Sequence, residues 1–414
     1  MTRVPTRRRA VRAPAESPRG PRARRRGSLP VALGILCLLA APGGGDDGPP
    51  GGGPGDGDTP PPPGTEPAPS PSSGQGGADA LRALWIQSPV AVEALERGLA
   101  FLAAQQASTQ DGSFPKSGYR DEHYAPIGVA ALGALAFMAA GNAPGRGPYG
   151  KEVTRAIEYL LAHADLMPGS KTFGYIEREG DTVSKIHGHG FATLALAQAY
   201  GMSPSSPLGK RIERALVEAV RCIERTQGED GGWWYEPVRQ AQHEGSTTIC
   251  LVQALRAARN AGIAVDREVI ELAEEYVLES RHPSGRFRYR WGSDKTSVAL
   301  TAAAVATLNA AGRYDDQVIE EAVLVIWKDL EERELNGGSA EFPYYERLYL
   351  AQAYWQLTDT RQFERWTDRE GPRVLAAQKP DGSWSSRFYG DSYATAMNCL
   401  FLALPEGLLP IFQR

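Results

Sequence analysis

An all-α chain, folded as a ring of six outer and six inner helices, is what the sequence predicts, and three observations carry that prediction. A marker recurs along the chain: Gln227-Gly-Glu-Asp-Gly231-Gly-Trp233 and Gln378-Lys-Pro-Asp-Gly382-Ser-Trp384 both read Gln-x3-Gly-x-Trp. Looser copies are Gln110-Asp-Gly112-Ser-Phe114, Lys171-Thr-Phe173, Pro283-Ser-Gly285-Arg-Phe287 and Gly338-Ser-Ala-Glu-Phe342. The marker aromatics recur with a mean period of 54 residues, the signature of a repeat architecture. Each marker is preceded by an amphipathic helical pattern and followed by one nearly free of charge. Strand signals are almost absent.

From the N-terminus, the first element is a cationic tip. Residues 1–28 carry 10 Arg and one acid, and the apolar run 29–41 follows. That run is shorter than the roughly 20 residues a bilayer span needs, so residues 1–41 read as a basic n-region and the apolar core of a secretory signal. Residues 42–78 contain 13 Gly and 11 Pro. So little apolar area cannot offset an ordering cost of about 1–2 kcal/mol per residue, and this stretch is expected to be a disordered linker. Residues 79–414 form the folded part. They hold 35 basic and 43 acidic residues, a net charge of −8, which argues against nucleic acid as a partner. Export to the periplasm or the exterior follows, with the folded body held on its N-terminal tether and no permanent membrane span beyond the signal segment.

Within the folded part the charged-face helices are expected at Val90–Gln106, Lys151–Asp165, Leu208–Gln227, Asp266–Ser280, Asp315–Glu332 and Phe363–Gln378. The uncharged ones are expected at Ala125–Ala140, Gly190–Met202, Thr247–Ala261, Thr296–Ala311, Glu346–Leu357 and Ser392–Leu404. A helix apolar all round must be buried, so the second set is inner and the first outer. Six such pairs close naturally into an (α/α)6 toroid; an open helical solenoid is the alternative. Gly141, Gly201, Gly262 and Gly312 stand where inner helices should end, and Asp266 and Asp315 where outer ones should start. Cys222, Cys250 and Cys399 fall inside apolar helical patterns with no zinc spacing, as buried unpaired thiols would.

The Gln-x3-Gly-x-Trp segments resemble the QW motif of triterpene cyclases. Residues 187–201, 248–262, 393–396 and 409–414 are similar to blocks of bacterial prenyltransferase/squalene-oxidase-repeat proteins, many of them from planctomycetes. These belong to the α/α-toroid superfamily of squalene-hopene and oxidosqualene cyclases and protein prenyltransferase β subunits. The resemblance implies that fold over residues 90–414. In the physical reading of the motif, Gln227, Gly231, Trp233, Gln378, Gly382 and Trp384 staple neighbouring repeats and perform no chemistry.

The catalytic motifs of the superfamily are missing from this sequence. Neither Asp-x-Asp-Asp nor Asp-Cys-Thr-Ala-Glu occurs, and the pair Asp315-Asp316 begins an outer helix, where capping suits it. Asp294-Lys295-Thr296 stands where prenyltransferases place a zinc-binding Asp-x-Cys but lacks the thiol. There is no Gly-Cys-Gly-Glu-Gln thioester and no Asp-Asp-x-x-Asp, Asp46-Asp47 lying in the linker. What remains is positional. His123, His187, His189, His243, Glu244, Asp294, Tyr345, Glu346, Asp391 and Tyr393 all fall near the starts of inner helices, and so around one mouth of the ring. Asp294, Asp391, Glu244 and His189 are the candidates for catalysis if there is any. A divalent metal is the one cofactor that such a His/Asp rim could hold, but no spacing fixes a ligand set and no cofactor is assigned.

Three readings of function follow. The leading one is a toroid that binds a hydrophobic, isoprenoid-like molecule or a peptide at the mouth. The others are a divergent terpene or squalene cyclase, and a sugar-active toroid using two carboxylates such as Glu244 and Asp391.

Overall fold

A computed structural model describes residues 88–115, 124–181, 183–313 and 316–413. The signal segment, the linker, His123 and Asp315 lie outside them. The described residues form twelve α-helices and two single 3-10 turns: α1 (Pro89–Ala107), α2 (Pro126–Ala139), α3 (Gly150–Ala162), α4 (Lys185–Met202), α5 (Pro207–Thr226), α6 (Gly245–Asn260), α7 (Arg267–Glu279), α8 (Val298–Ala310), α9 (Gln317–Leu335), α10 (Pro343–Trp355), α11 (Arg361–Ala376) and α12 (Gly390–Ala403), with the turns at Leu404–Glu406 and Pro410–Phe412.

Even-numbered helices are inner. All fourteen residues of α2 and nearly all of α8 and α12 are buried, whereas the outer α3, α5 and α7 bury a single stripe. The inner helices pack in sequence order, and α12 then packs on α2 and α1, so the ring closes. This is the (α/α)6 toroid, and it excludes the open solenoid.

Local chemistry sets most helix starts. Ser88, Ser206 and Ser297 accept backbone N–H bonds from the third residue on, and Asp266 and Asp316 accept from the second. The cap of α9 is therefore Asp316. Gly141, Gly262 and Gly312 follow α2, α6 and α8 with φ of 82°, 89° and 86°, the left-handed conformation of a helix C-cap. Gly201 differs from its expected role, because α4 continues through it to Met202.

The marker loops join each outer helix to the next. Gln106 Nε2 donates to Gly112 O and to Glu152 O of α3, Gln227 to Gly231 O and Val269 O of α7, and Gln378 to Gly382 O and Ala94 O of α1. In four of the six loops the marker glycine has positive φ and lies against a carbonyl of the next outer helix, and in a further loop Gly285, also at positive φ, lies against the Val325 side chain. A Cβ at Gly112, Gly174, Gly231 or Gly382 would come within 2.3, 2.0, 2.2 and 2.4 Å of Arg155, Glu218, Leu272 and Arg97 oxygens. Trp233 and Trp384 are buried and donate their indole N–H back to Ile223 O and Val374 O.

One register shifts from expectation. The second glycine is Gly174, so the aromatic position is filled by Ile176 rather than Phe173. Backbone N–H groups at this position donate to Thr248, Thr301 and Thr395 hydroxyls in three pairs, and to His189 Nδ1 in the second.

The fifth pair breaks the pattern. Gly337, at φ 64°, has nothing within 4 Å of a would-be Cβ, and Gly338 lies against Arg333 of its own helix. The loop after α9 is therefore not seated on the next outer helix as the others are.

Inside the ring, Tyr349 of α10 donates to Gln253 Oε1 of α6, and Gln253 Nε2 donates to Gln352. These bonds reach past α8 and cross the ring, so the interior at this level is filled by side chains. At the far end the last turns pack against α6, α10 and α12, with Gln356 Nε2 reaching Ile411 O.

Candidate functional site

Beneath the mouth, three buried groups meet. Glu244 caps α6, accepting from Ser246 N and Thr247 N at 2.9 Å each and from Ser246 Oγ at 2.6 Å. The same Oγ lies 3.2 Å from His187 Nε2 on α4. Because the serine proton goes to the carboxylate, the imidazole is the donor in the second bond, and Ser246 is not deprotonated by it. Burial pushes Glu244 up to about 7, against the lowering effect of its hydrogen bonds, and pushes His187 down to about 3. Among the described residues His187 Nδ1 has no hydrogen-bond partner. Glu244, Ser246 and His187 are all enclosed by protein.

The other candidates are held in separate places. His187 and His189 lie inside α4, which begins five residues before its expected start. His189 Nδ1 accepts from Ile176 N, its ring packs 5.0 Å from Tyr175, and burial holds it down to about 3. His243 Nδ1 is hydrogen-bonded to the Tyr276 hydroxyl at 2.8 Å, and the ring faces Asp230 at 3.5 Å, edge-on to Trp291; burial lowers its pKa against the pull of Asp230. Asp294 is 64% exposed, 3.6 Å from His282. Asp391 accepts from Lys379 Nζ at 2.6 Å, and buried Glu346 is clamped by both terminal nitrogens of Arg333. His189, His243, Asp294 and Asp391 thus have four different sets of partners. Among the described residues no group of three or more His, Cys, Asp or Glu side chains is arranged to hold a metal ion.

Open space adjoins the unseated loop of the fifth pair. On one side of it lies a cleft of about 230 Å³ lined by Phe342, Tyr344, Phe388, Tyr389 and Tyr393, with Glu341 and Arg387 at its edge. Tyr393 packs edge-on against Tyr344 and Tyr389, and the Arg387 guanidinium lies 4.8 Å from the Phe388 ring. Partial burial raises Glu341, which Lys295 opposes. On the other side is a cavity of about 360 Å³ lined by Arg333, Arg347, Arg369, Arg373, Glu334, Glu346 and Glu370; Ala340 and Pro343 belong to both walls.

Of the cleft residues, Tyr393 is a sequence candidate, while Tyr344, Phe388 and Tyr389 are not. The signal that marks the place is the fifth marker itself, where glycine stands four residues before its aromatic instead of two.

No protein-family model and no curated protein matches the sequence. Solved structures do match. A cellobiose 2-epimerase from Spirochaeta thermophila aligns over 81% of this chain and 98% of its own, at 15% identity and a TM-score of 0.56. A GH76 α-mannanase from Bacteroides thetaiotaomicron aligns over 78% and 97%, at 8% identity and TM-score 0.51. A type II terpene cyclase from Scytonema aligns over 78% and 98%, at 17% identity and TM-score 0.47. At such identities the first two, with TM-scores above 0.5, support the α/α-toroid fold and nothing finer.

Proposed function

We propose that this chain is an exported α/α toroid, of the squalene-oxidase-repeat type, that binds an apolar group of its ligand in the aromatic cleft at the mouth, between the starts of α10 and α12. The observation that carries this reading is the break in the fifth marker loop. Four of the six marker loops seat a glycine on the neighbouring helix backbone, the Gly285 loop rests its glycine on the Val325 side chain of the next outer helix, and the one that seats nothing there is flanked by five aromatic rings around a space. Aromatic walls with a few polar groups at the edge suit recognition of apolar ligands. The volume, about 230 Å³, holds one side chain or one end of an isoprenoid chain, not a C30 substrate. The acid–base candidates support binding over turnover. Glu244 is committed to capping, and His189 takes the place of a structural threonine.

Titration of purified protein with two neutral probes, N-acetyl-L-phenylalaninamide and geraniol, tests the reading. Saturable binding of at least one is expected, with no conversion of squalene, farnesyl diphosphate or α-1,6-mannan oligosaccharides. Turnover of any of these that Asp391→Asn or Asp294→Asn abolishes would contradict it.

A further inference from the structure

We propose that the arginine-lined cavity beside the cleft receives a carboxylate of the same ligand, so that the full ligand is the C-terminal residue of a peptide: apolar side chain in the cleft, free carboxylate among the arginines. This rests on the reading of the cleft given above.

The cavity contains four arginines and three glutamates, and the three carboxylates are not equivalent. Glu346 is buried and held by Arg333. Glu370 is buried and takes Nε and Nη2 of Arg347, at 2.9 and 2.7 Å, whose Nη1 is fixed on Asn398 Oδ1. Glu334 is different. Its side chain is 52% exposed, and it is shared between Arg369, at 2.9 Å, and Arg373, whose other terminal nitrogen lies 3.6 Å from buried Glu370. It also lies in the last turn of α9, where the helix dipole disfavours an anion.

A half-exposed ion pair of this kind contributes little stability, so it is cheaply exchanged. Glu334 is thus a resident carboxylate in a seat that a ligand carboxylate can take. Exchange frees Glu334 to solvent and leaves Arg369 and Arg373 paired. The fork of a guanidinium matches a planar carboxylate in either case. The shared wall of Ala340 and Pro343 places the seat next to the aromatic cleft, and the loop that forms this wall is the one the ring leaves unseated.

The experiment compares N-acetyl-L-phenylalanine with its amide, by calorimetry on the full chain. The acid should bind about tenfold or more tightly than the amide, the yield of one charge-assisted pair. Arg373→Gln and Arg369→Gln should each bring the acid down to the amide level without changing the amide. Glu334→Gln should do the reverse and tighten the acid several-fold, since it removes the competitor; a cluster with only a structural role would not respond this way. Circular dichroism confirms that each variant is folded. Equal affinity for acid and amide overturns this inference and leaves the cleft reading standing; binding of neither overturns this inference, and if geraniol also fails to bind, the cleft reading with it. Loss of the acid preference in Arg387→Gln, with Arg373→Gln unaffected, overturns the assignment to this cavity. Tighter binding of 3-phenylpropionate than of Gly-Gly-Phe overturns the peptide end as its source.

Discussion

Alanine at Gly382 should lower the unfolding free energy by about 3 kcal/mol, three times the cost of alanine at Gly262. Both glycines have a φ near +90°, and so carry the same backbone penalty of about 1 kcal/mol when a Cβ is added. They differ in what the Cβ meets. At Gly262 it meets nothing within 4 Å; at Gly382 it would lie 2.4 Å from Arg97 O and 2.8 Å from Arg97 C. Arg97 belongs to α1, so relief requires the last marker loop to move off the first helix, at the seam where the ring closes. Nearby bonds share the strain: Gln378 to Ala94 O and Arg97 Nη2 to Lys379 O. Urea unfolding of both variants followed by circular dichroism measures the difference. Equal losses would mean that the seam is not packed as described.

The second large effect is a pH dependence written into the buried histidines. His189 is held down to about 3 by burial. An imidazole with a depressed folded pKa contributes stability that is fully present above its ordinary value of about 6.5 and lost as pH falls through the window from 6.5 to 3. Each such group steepens the loss by about 1.4 kcal/mol per pH unit, and His187 adds a second share. Glu244 opposes them. Its folded pKa is raised to about 7, so its contribution is fully present below the ordinary carboxyl value near 4.5 and lost as pH rises through 7. The two histidines outweigh one glutamate, and stability should fall on acidification. Threonine is the residue that accepts the equivalent backbone N–H in three other pairs, so His189→Thr keeps the bond and removes the titration. Urea unfolding between pH 6.5 and 4.5 should show a slope smaller by about 1.4 kcal/mol per pH unit in the variant. An unchanged slope would contradict the assignment of His189 to a purely structural seat.

His189 also illustrates where sequence reading stopped. Helix type and order were legible because burial writes directly into composition: α8 is apolar or small throughout, while α5 alternates charge around a stripe. Helix ends were legible where a cap has one chemical solution, as at Asp266, and less so where neighbours compete, as at Asp316 beside Asp315. Four of the six histidines cluster before inner helices, which reads as a functional rim. The three of these that are described have different partners: His189 accepts from a backbone N–H, His187 pairs with Ser246 and His243 with Tyr276. Their proximity along the chain does not fix which way each ring turns, since that depends on the neighbouring repeat. The cleft was hidden for a related reason: it arises from an interaction that the fifth loop fails to make, and missing contacts leave only a spacing anomaly in the sequence.

The central claim is that ligand binds in the cleft of the fifth loop and not among the buried polar groups of the ring. Titrating N-acetyl-L-phenylalaninamide into the wild type, Phe388→Ala and Ser246→Ala tests it most directly. Phe388 is a wall of the cleft, and Ser246 links Glu244 to His187 beneath the mouth. Affinity should fall at least tenfold in Phe388→Ala, the loss of an aromatic anchor, and stay unchanged in Ser246→Ala. Binding kept in Phe388→Ala and lost in Ser246→Ala would put the ligand inside the ring and contradict the account.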